Sequence, residues 1–359
     1  MKQKDFLDDI KSIAERVDIL NYHKYKLLDK ELYVAYQQSY MKWNQPLSSF
    51  GQNSGDDDQV KANLHLHLAN SIYSNFYCPG TTNKISGEDA TVLTVMPSAA
   101  EREKTIKLLS AVNNTKNGLD YVWTVYLMDG NGTAFVAKNG EARALVPGQW
   151  EFFSPTDTSL KVGVVVNIKI TREDTTMQPV FYHVKGQYMV SQQAEFVRIY
   201  FNTNFDGALI LVDGISRVFN HYKLPFLFKC LNHPDLFNRT DSAVLYLSKQ
   251  HFRFGSDLLR TILPKVKPFL KQEVPLFTMM IIPGVSFSED PGNGQSFGMS
   301  RCNMLAEGIV NAFVKDIKGG LSQMTEILKV FGKNGITTSQ IYLKPNSQFP
   351  YNFSKITSN

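Results

Sequence analysis

The chain is short of cysteine: three, at Cys78, Cys230 and Cys302, in 359 residues and with no C-x-x-C pair. An odd, scattered set excludes a disulfide framework and a structural zinc site, so reduced thiols are expected. It also lacks any apolar run of about 18 residues, the length a membrane helix needs. The nearest approaches, around 205–216 and 274–285, are broken by Asp206, Asp213 and Pro283. The start, MKQKDFLDDIKSIAERVDIL, sets acids where a secretory signal needs apolar residues, so cytoplasmic residence is the expectation. H-E-x-x-H, G-x-S-x-G and paired-cysteine metal motifs are missing as well. His65 and His67, two apart on an expected helix, point to different faces and do not share a metal. Neither metal nor organic cofactor is expected.

What is present is an ordinary globular composition, 43% hydrophobic and 20% charged, with a net charge of +5. The charge is unevenly spread. From Arg217 to Lys271 ten Lys/Arg face three Asp, a local +7 that leaves −2 for the rest of the chain. Such a segment suits an anionic or phosphorylated ligand, although the 253–271 part also fits a solvated helix face. No RRM, KH, zinc-finger or helix-turn-helix pattern organises these cations, so nucleic acid is not expected as a partner.

Along the chain, Phe6, Ile10, Ile13, Val17 and Leu20 have helical spacing and predict a helical start. LSSFGQNSGDDDQV, 47–60, is the best linker candidate, which sets a helical region over 1–60 apart from a domain over 61–359. Helical spacing resumes over 63–77 and stops at the Cys-Pro-Gly of 78–80. A second helix opens with Ser98 and Glu101 in capping-box spacing. β-branched and aromatic runs at 121–129, 133–146, 161–173, 178–190 and 195–203, separated by turn residues such as Lys-Asn-Gly at 138–140, then predict antiparallel strands. Helices are expected over 205–221, 253–270, 301–317 and 320–332, with short strands at 225–231 and 242–248. The fold class is α+β: N-terminal helices, a mainly antiparallel sheet, and C-terminal helices packed on it. The 61–359 domain divides further into a helical part, 61–118, and a catalytic part, 119–359.

Three stretches carry chemistry. SEDPGNGQSFGMSR, 288–301, has glycines at 292, 294 and 298, a spacing that fails the dinucleotide fingerprint, and no Lys-Ser/Thr closes it as a phosphate loop. Two readings remain: a flexible loop, with Gly294 and Ser296 at a peptide and Arg301 clamping an anion, or a turn in which Arg301 pairs with Glu289 or Asp290. FKCLNHPDLFNRTDSAVLYLS, 228–248, gathers Lys229, Asn232, His233, Arg239 and Asp241. A lysine in an apolar strand near an arginine loses part of its preference for charge and can act as a base, while Arg239 offers a fork to a phosphate. The same residues also read as turns, with Lys229 reaching out from a strand edge. EFVRIYFNT sets Arg198, Tyr200 and Asn202 on one strand face by the period of two, a layout that suits a cleft or a solvent-facing strand. His183 and Lys185 share a face in the same way and read most simply as exposed strand residues.

These segments, together with PLFTMMIIPGVSFSEDPGNGQSFGMSRCNMLAEGI, SIYSNFYCPG and FGKNGITTSQIYLKPNS, resemble the HopA effector family over about residues 60–350. The resemblance implies a bacterial lyase of the kind used in class V lanthipeptide and thioamitide biosynthesis. There a kinase-like partner phosphorylates Ser or Thr of a precursor peptide, and the HopA-like protein eliminates phosphate to leave dehydroalanine or its threonine counterpart. Carried onto this chain, it makes Lys229 the base and Arg198, Arg239 and Arg301 the phosphate clamps. Tyr200 or His233 becomes the acid, and Asn202, Asn232, Asp241, Gly294 and Ser296 become peptide contacts. Where the resemblance calls for a lysine before the Pro-Gly-Val segment, this chain has Met279. A translocated effector that binds a host protein, and a phosphopeptide-binding pseudoenzyme, are the alternatives. No membrane partner is expected.

Overall fold

The structure is a computed structural model and describes residues 5–34, 56–80, 97–191 and 193–357. The chain divides into two compact units. The first comprises Met1–Thr94, Glu273–Met280 and Ser286–Phe349; the second comprises Val95–Gln272, Ile281–Val285 and Pro350–Asn359. The linker expected at 47–60 lies outside the described residues up to 55, and its last residues already belong to the helix Asp56–Ile72. Among the described residues no helix is long and apolar enough to cross a membrane.

The first unit corrects the expected helical start. A helix covers only Leu7–Ala14, after which Val17 and Leu20 lie in the strand Val17–Asn21. That strand pairs with Lys24–Leu27, which pairs with Lys30–Tyr33, giving a three-stranded antiparallel meander. Its second turn holds Leu28 and Asp29 at φ 52 and 64, the left-handed pair that a tight hairpin requires. Ile13 and Val17 are both buried because helix and strand deliver their apolar side chains to one core. That core also takes Leu64, Leu68 and Ile72 of Asp56–Ile72, and Leu305, Ile309 and Ile327 of the helices Phe297–Val314 and Gly320–Lys333. The turns at Tyr73–Tyr77 widen to the π form, and the chain then leaves the helix at Cys78.

The second unit holds two antiparallel sheets. One runs Glu141–Leu145, Ala134–Lys138, Gly118–Met128, Val165–Ile170, Trp150–Phe152 around a core of Trp123, Val125, Val136 and Val166. The Lys-Asn-Gly turn forms the expected hairpin, with Asn139 and Gly140 at positive φ. The other sheet sets its strands in the order Phe196–Phe201, Ala243–Ser248, Leu227–Leu231, Phe181–Lys185, Glu173–Asp174.

One face of this second sheet is largely apolar, with Glu173 and the Tyr182 hydroxyl that donates to it at one edge. Val197, Ile199, Leu245, Leu247 and Phe228 are buried on this face, each contributing about 2 kcal/mol by leaving water. Two helices belong to the same unit, Phe205–His221, capped by the Asn204 side chain, and Phe252–Val266. The Leu247 side chain closes on Gly255 of the latter, which marks the apolar face as the helix side of the sheet. By the period of two, the other face carries the polar residues.

Candidate functional site

That polar face is built by register. Tyr200 pairs with Val244, Val244 with Lys229, Lys229 with His183, and His183 with Asp174, so one row crosses five strands. The next row begins with Arg198, which pairs with Tyr246. Strand spacing of about 4.8 Å puts the backbones of Tyr200 and Lys229 about 10 Å apart. Arg198 is largely buried, its guanidinium 5.2 Å from the Tyr246 ring centre. Lys229 is half-buried; its Nζ donates to Gln178 Oε1 at 2.9 Å and stands 4.1 Å over the Phe181 ring. Arg239 reaches the same ring from 5.9 Å, which brings two cations to one aromatic ring.

Charge in this region is tightly paired. The Arg239 fork grips Asp241, with Nη2 donating to Oδ2 at 2.7 Å and Nε to Oδ1. Burial would raise the Asp241 carboxyl, but Arg239 and then Lys229 outweigh it and hold it below the usual range. Asp174 is likewise held low: burial opposes ionisation, and the Thr176 and Met177 N–H groups with the Lys185 ammonium, 3.1 Å away, overcome it.

His183 behaves oppositely. Burial first, then the charge of Lys229, push it down to about 4, against the pull of Asp174. The ring is therefore neutral at pH 7, and its buried Nε2 has no hydrogen-bond partner among the described residues. From the sequence His183 reads most simply as an exposed strand residue. What joins it to the site is the pairing of its strand with that of Lys229, and residue type alone does not encode that pairing.

Other expected site residues occupy the rims of the sheet or the other unit. Asn202 follows the Phe196–Phe201 strand, its N–H donating to Gly284 O at 2.8 Å and its carbonyl accepting from Lys271 N at 2.8 Å. Asn232 is buried beyond the end of the Leu227–Leu231 strand. Its Nδ2 donates to Pro179 O at 2.9 Å, while its Oδ1 has no partner among the described residues. His233 caps the short 3-10 turn Pro234–Leu236 by accepting from Asp235 N at 3.3 Å, the turn function that its sequence context also allowed.

In the first unit, Glu289 accepts from Lys344 N at 2.8 Å and Ser347 Oγ at 2.6 Å. Gly294 lies exposed at φ 78, and Ser296 caps the Phe297–Val314 helix through Met299 N. Arg301 is 2% exposed and donates from Nε to Ile341 O at 2.8 Å and from Nη2 to Leu343 O at 2.6 Å. Met279 opens the strand Met279–Ile282 and is half-buried. His65 and His67 have separate partners, the Asn303 carbonyl and the Tyr25 hydroxyl.

Comparison with known proteins gives one family match: the HopA1 effector protein family, over residues 173–343. No curated protein matches the chain. Among the solved structures that align with it are two effector proteins of Pseudomonas syringae. That from pv. tomato strain DC3000 is 13% identical, covering 80% of this chain and 98% of its own at a TM-score of 0.42. That from pv. syringae strain 61 is 15% identical, with the same coverages and a TM-score of 0.41. The family match spans the whole polar face, from Asp174 through Arg198, Lys229 and Arg239, and continues past Arg301. Residues 173–343 of this chain thus match the HopA1 effector protein family.

Proposed function

We propose that this protein is a phosphoserine/phosphothreonine lyase that acts on a precursor peptide after a kinase-like partner has phosphorylated it. The observation that carries the proposal is the row on the polar sheet face, where a neutral His183 stands across the strand pair from the Lys229 ammonium. Elimination requires loss of the Cα proton, formation of the Cα=Cβ bond and departure of phosphate as Cβ–O breaks. Each of these steps has a suitable group on the face. The neutral imidazole of His183, whose buried Nε2 has no hydrogen-bond partner among the described residues, accepts the proton. Lys229, held by Gln178, neutralises the charge that develops on the enolate oxygen. Arg198 and Arg239 face the phosphate, and the Tyr200 hydroxyl gives the leaving group its proton. No cofactor is needed for this chemistry. Lys229 therefore keeps the central position that the sequence implies, while His183 takes over the proton.

The test is to incubate the full chain with phosphothreonine peptides, including those encoded beside its gene, and to follow loss of phosphoric acid by mass spectrometry. Loss that is abolished in both His183→Asn and Lys229→Ala is expected. No loss from any cognate phosphopeptide would overturn the lyase assignment, and full activity in His183→Asn would move the base elsewhere.

A second function is supported by the description of the matching family as effector proteins. In that case the chain acts in a host cell by binding a protein there, and the polar face recognises a phosphorylated surface without eliminating from it. Retention of the phosphopeptide on the protein without mass loss would favour it.

A further inference from the structure

The basic excess between Arg217 and Lys271 resolves into separate sets. Lys229 and Arg239 lie on the polar sheet face described above, Lys249 pairs with Glu195, and Lys271 donates to the Phe237 carbonyl. The remaining six, Arg217, Lys223, Arg253, Arg260, Lys265 and Lys267, are all exposed. They lie on, or at the ends of, the helices Phe205–His221 and Phe252–Val266, on the sides turned away from the apolar sheet face. Arg253, Arg260 and Lys267 repeat every seven residues and so form one stripe. Asp206, exposed in the first turn of Phe205–His221, Asp213, paired with Arg217 at 3.1 Å, and half-buried Asp257 are the acids among them. The surface is strongly positive, and nothing in the proposed lyase chemistry uses it.

A second observation narrows the partner. Tyr222 and Phe254 are 54% and 43% exposed, beside Lys223 and Arg253 in the chain, with ring centres 5.8 Å apart and planes at 87°. Two large exposed rings amid cations cost solvation in water and gain it at the headgroup level of a bilayer. Their edge-to-face arrangement offers no pair of parallel platforms for stacked bases, so single-stranded nucleic acid is a poor fit. Between the helices lies a hollow of about 150 Å³ lined by Asp213, Arg217, Thr261 and Lys265. It is smaller than the roughly 300 Å³ of ordinary ligand pockets, and it places a carboxylate where an anion would have to sit. A broad, shallow, positive surface with an aromatic pair fits an equally broad negative one.

We propose that the outer face of these two helices is a docking surface for an anionic lipid bilayer, with the cations over the headgroups and Tyr222 and Phe254 at the interface. The proposal is independent of the lyase assignment, since it uses none of the same side chains.

The experiment is cosedimentation of the full chain with phosphatidylcholine vesicles and with vesicles in which a quarter of the lipid is phosphatidylserine. Binding is expected only to the latter and should weaken as salt rises from about 0.05 to 0.5 M, where charges are screened within a few ångströms. Arg253→Glu combined with Arg260→Glu should lower the bound fraction about tenfold or more, with Phe254→Ser giving a smaller loss. Lys161→Glu with Lys169→Glu, exposed cations just before and within the Val165–Ile170 strand, should change nothing. Thermal unfolding of each variant identifies any loss caused by misfolding. Equal binding to both vesicle types, no binding to either, or charge-reversed variants that still bind would overturn the proposal. So would binding to polyuridylate RNA or poly-glutamate without binding to the anionic vesicles.

Discussion

His183 and Lys229 face each other across paired antiparallel strands, and the positive charge of one helps keep the other neutral. The relationship is electrostatic as well as positional. Burial alone disfavours an imidazolium, and an ammonium one strand away adds to that cost. The pair therefore combines a proton acceptor with a fixed cation, the two components that abstraction of an acidic carbon proton requires.

A pH dependence follows from this pairing. The folded-state pKa of His183, about 4, lies below its ordinary 6.5. Stability tied to the neutral ring is thus fully present above about pH 6.5 and is lost as pH falls through about 4. Urea unfolding midpoints measured from pH 7 to pH 4 should fall more steeply in the wild type than in His183→Gln. The nuclear magnetic resonance titration of His183 should also move upward in Lys229→Met, because the repelling charge is gone. An unchanged titration in that variant would show that the two groups do not interact.

The Arg239–Asp241 pair predicts a different response. Both side chains are largely withdrawn from water, so removing one leaves the charge of the other uncompensated. Asp241→Ala should cost about 3 kcal/mol, more than an exposed pair could, as measured by chemical denaturation. Because the Asp241 carboxyl is held below its ordinary range, its contribution is present above about pH 4 and is lost on further acidification. Asp241→Asn should remove that acid sensitivity while keeping the side-chain shape.

The sequence showed the elements more clearly than their assembly. The helix at 205–221 is legible because apolar spacing, the Asn204 cap and flanking turns all agree, and the Ser98/Glu101 capping box forms as expected. The N-terminus misleads because Phe6, Ile10, Ile13 and Val17 satisfy a helical period while Val17 in fact enters the core from a strand. Its turns contain no Asn-Gly or Asp-Gly to announce them. Arg198, Tyr200 and Lys229 were legible as polar residues in apolar strands. His183 was not, because its meaning depends on strand order, a non-local property set by how distant segments pair.

The glycines of residues 288–301 should separate by role. At Gly298 an added methyl group would lie 2.4 Å from the buried Tyr77 ring, so Gly298→Ala must displace the helix or the ring and should cost about 2 kcal/mol or more. Gly294 is exposed with φ 78, and Gly294→Ala should cost only about 1 kcal/mol, from backbone strain. Paired urea titrations would reveal the difference. Equal losses would mean that the Tyr77 contact relaxes at little cost.

Arg301→Lys provides the sharpest test of why an arginine stands at the start of the Phe297–Val314 helix. The planar guanidinium sends Nε and Nη2 to two carbonyls, Ile341 and Leu343, on one stretch of chain. Lysine keeps the charge but presents a single nitrogen on a flexible stem, so it cannot reproduce that fork in a buried position. At least one carbonyl is left without its donor, at a cost of about 2 kcal/mol. The loss should appear in thermal unfolding in the absence of any phosphate, and hydrogen exchange should rise around residues 341–343. If Arg301 served instead to bind a substrate anion, Arg301→Lys would leave unfolding unchanged and weaken phosphopeptide binding alone.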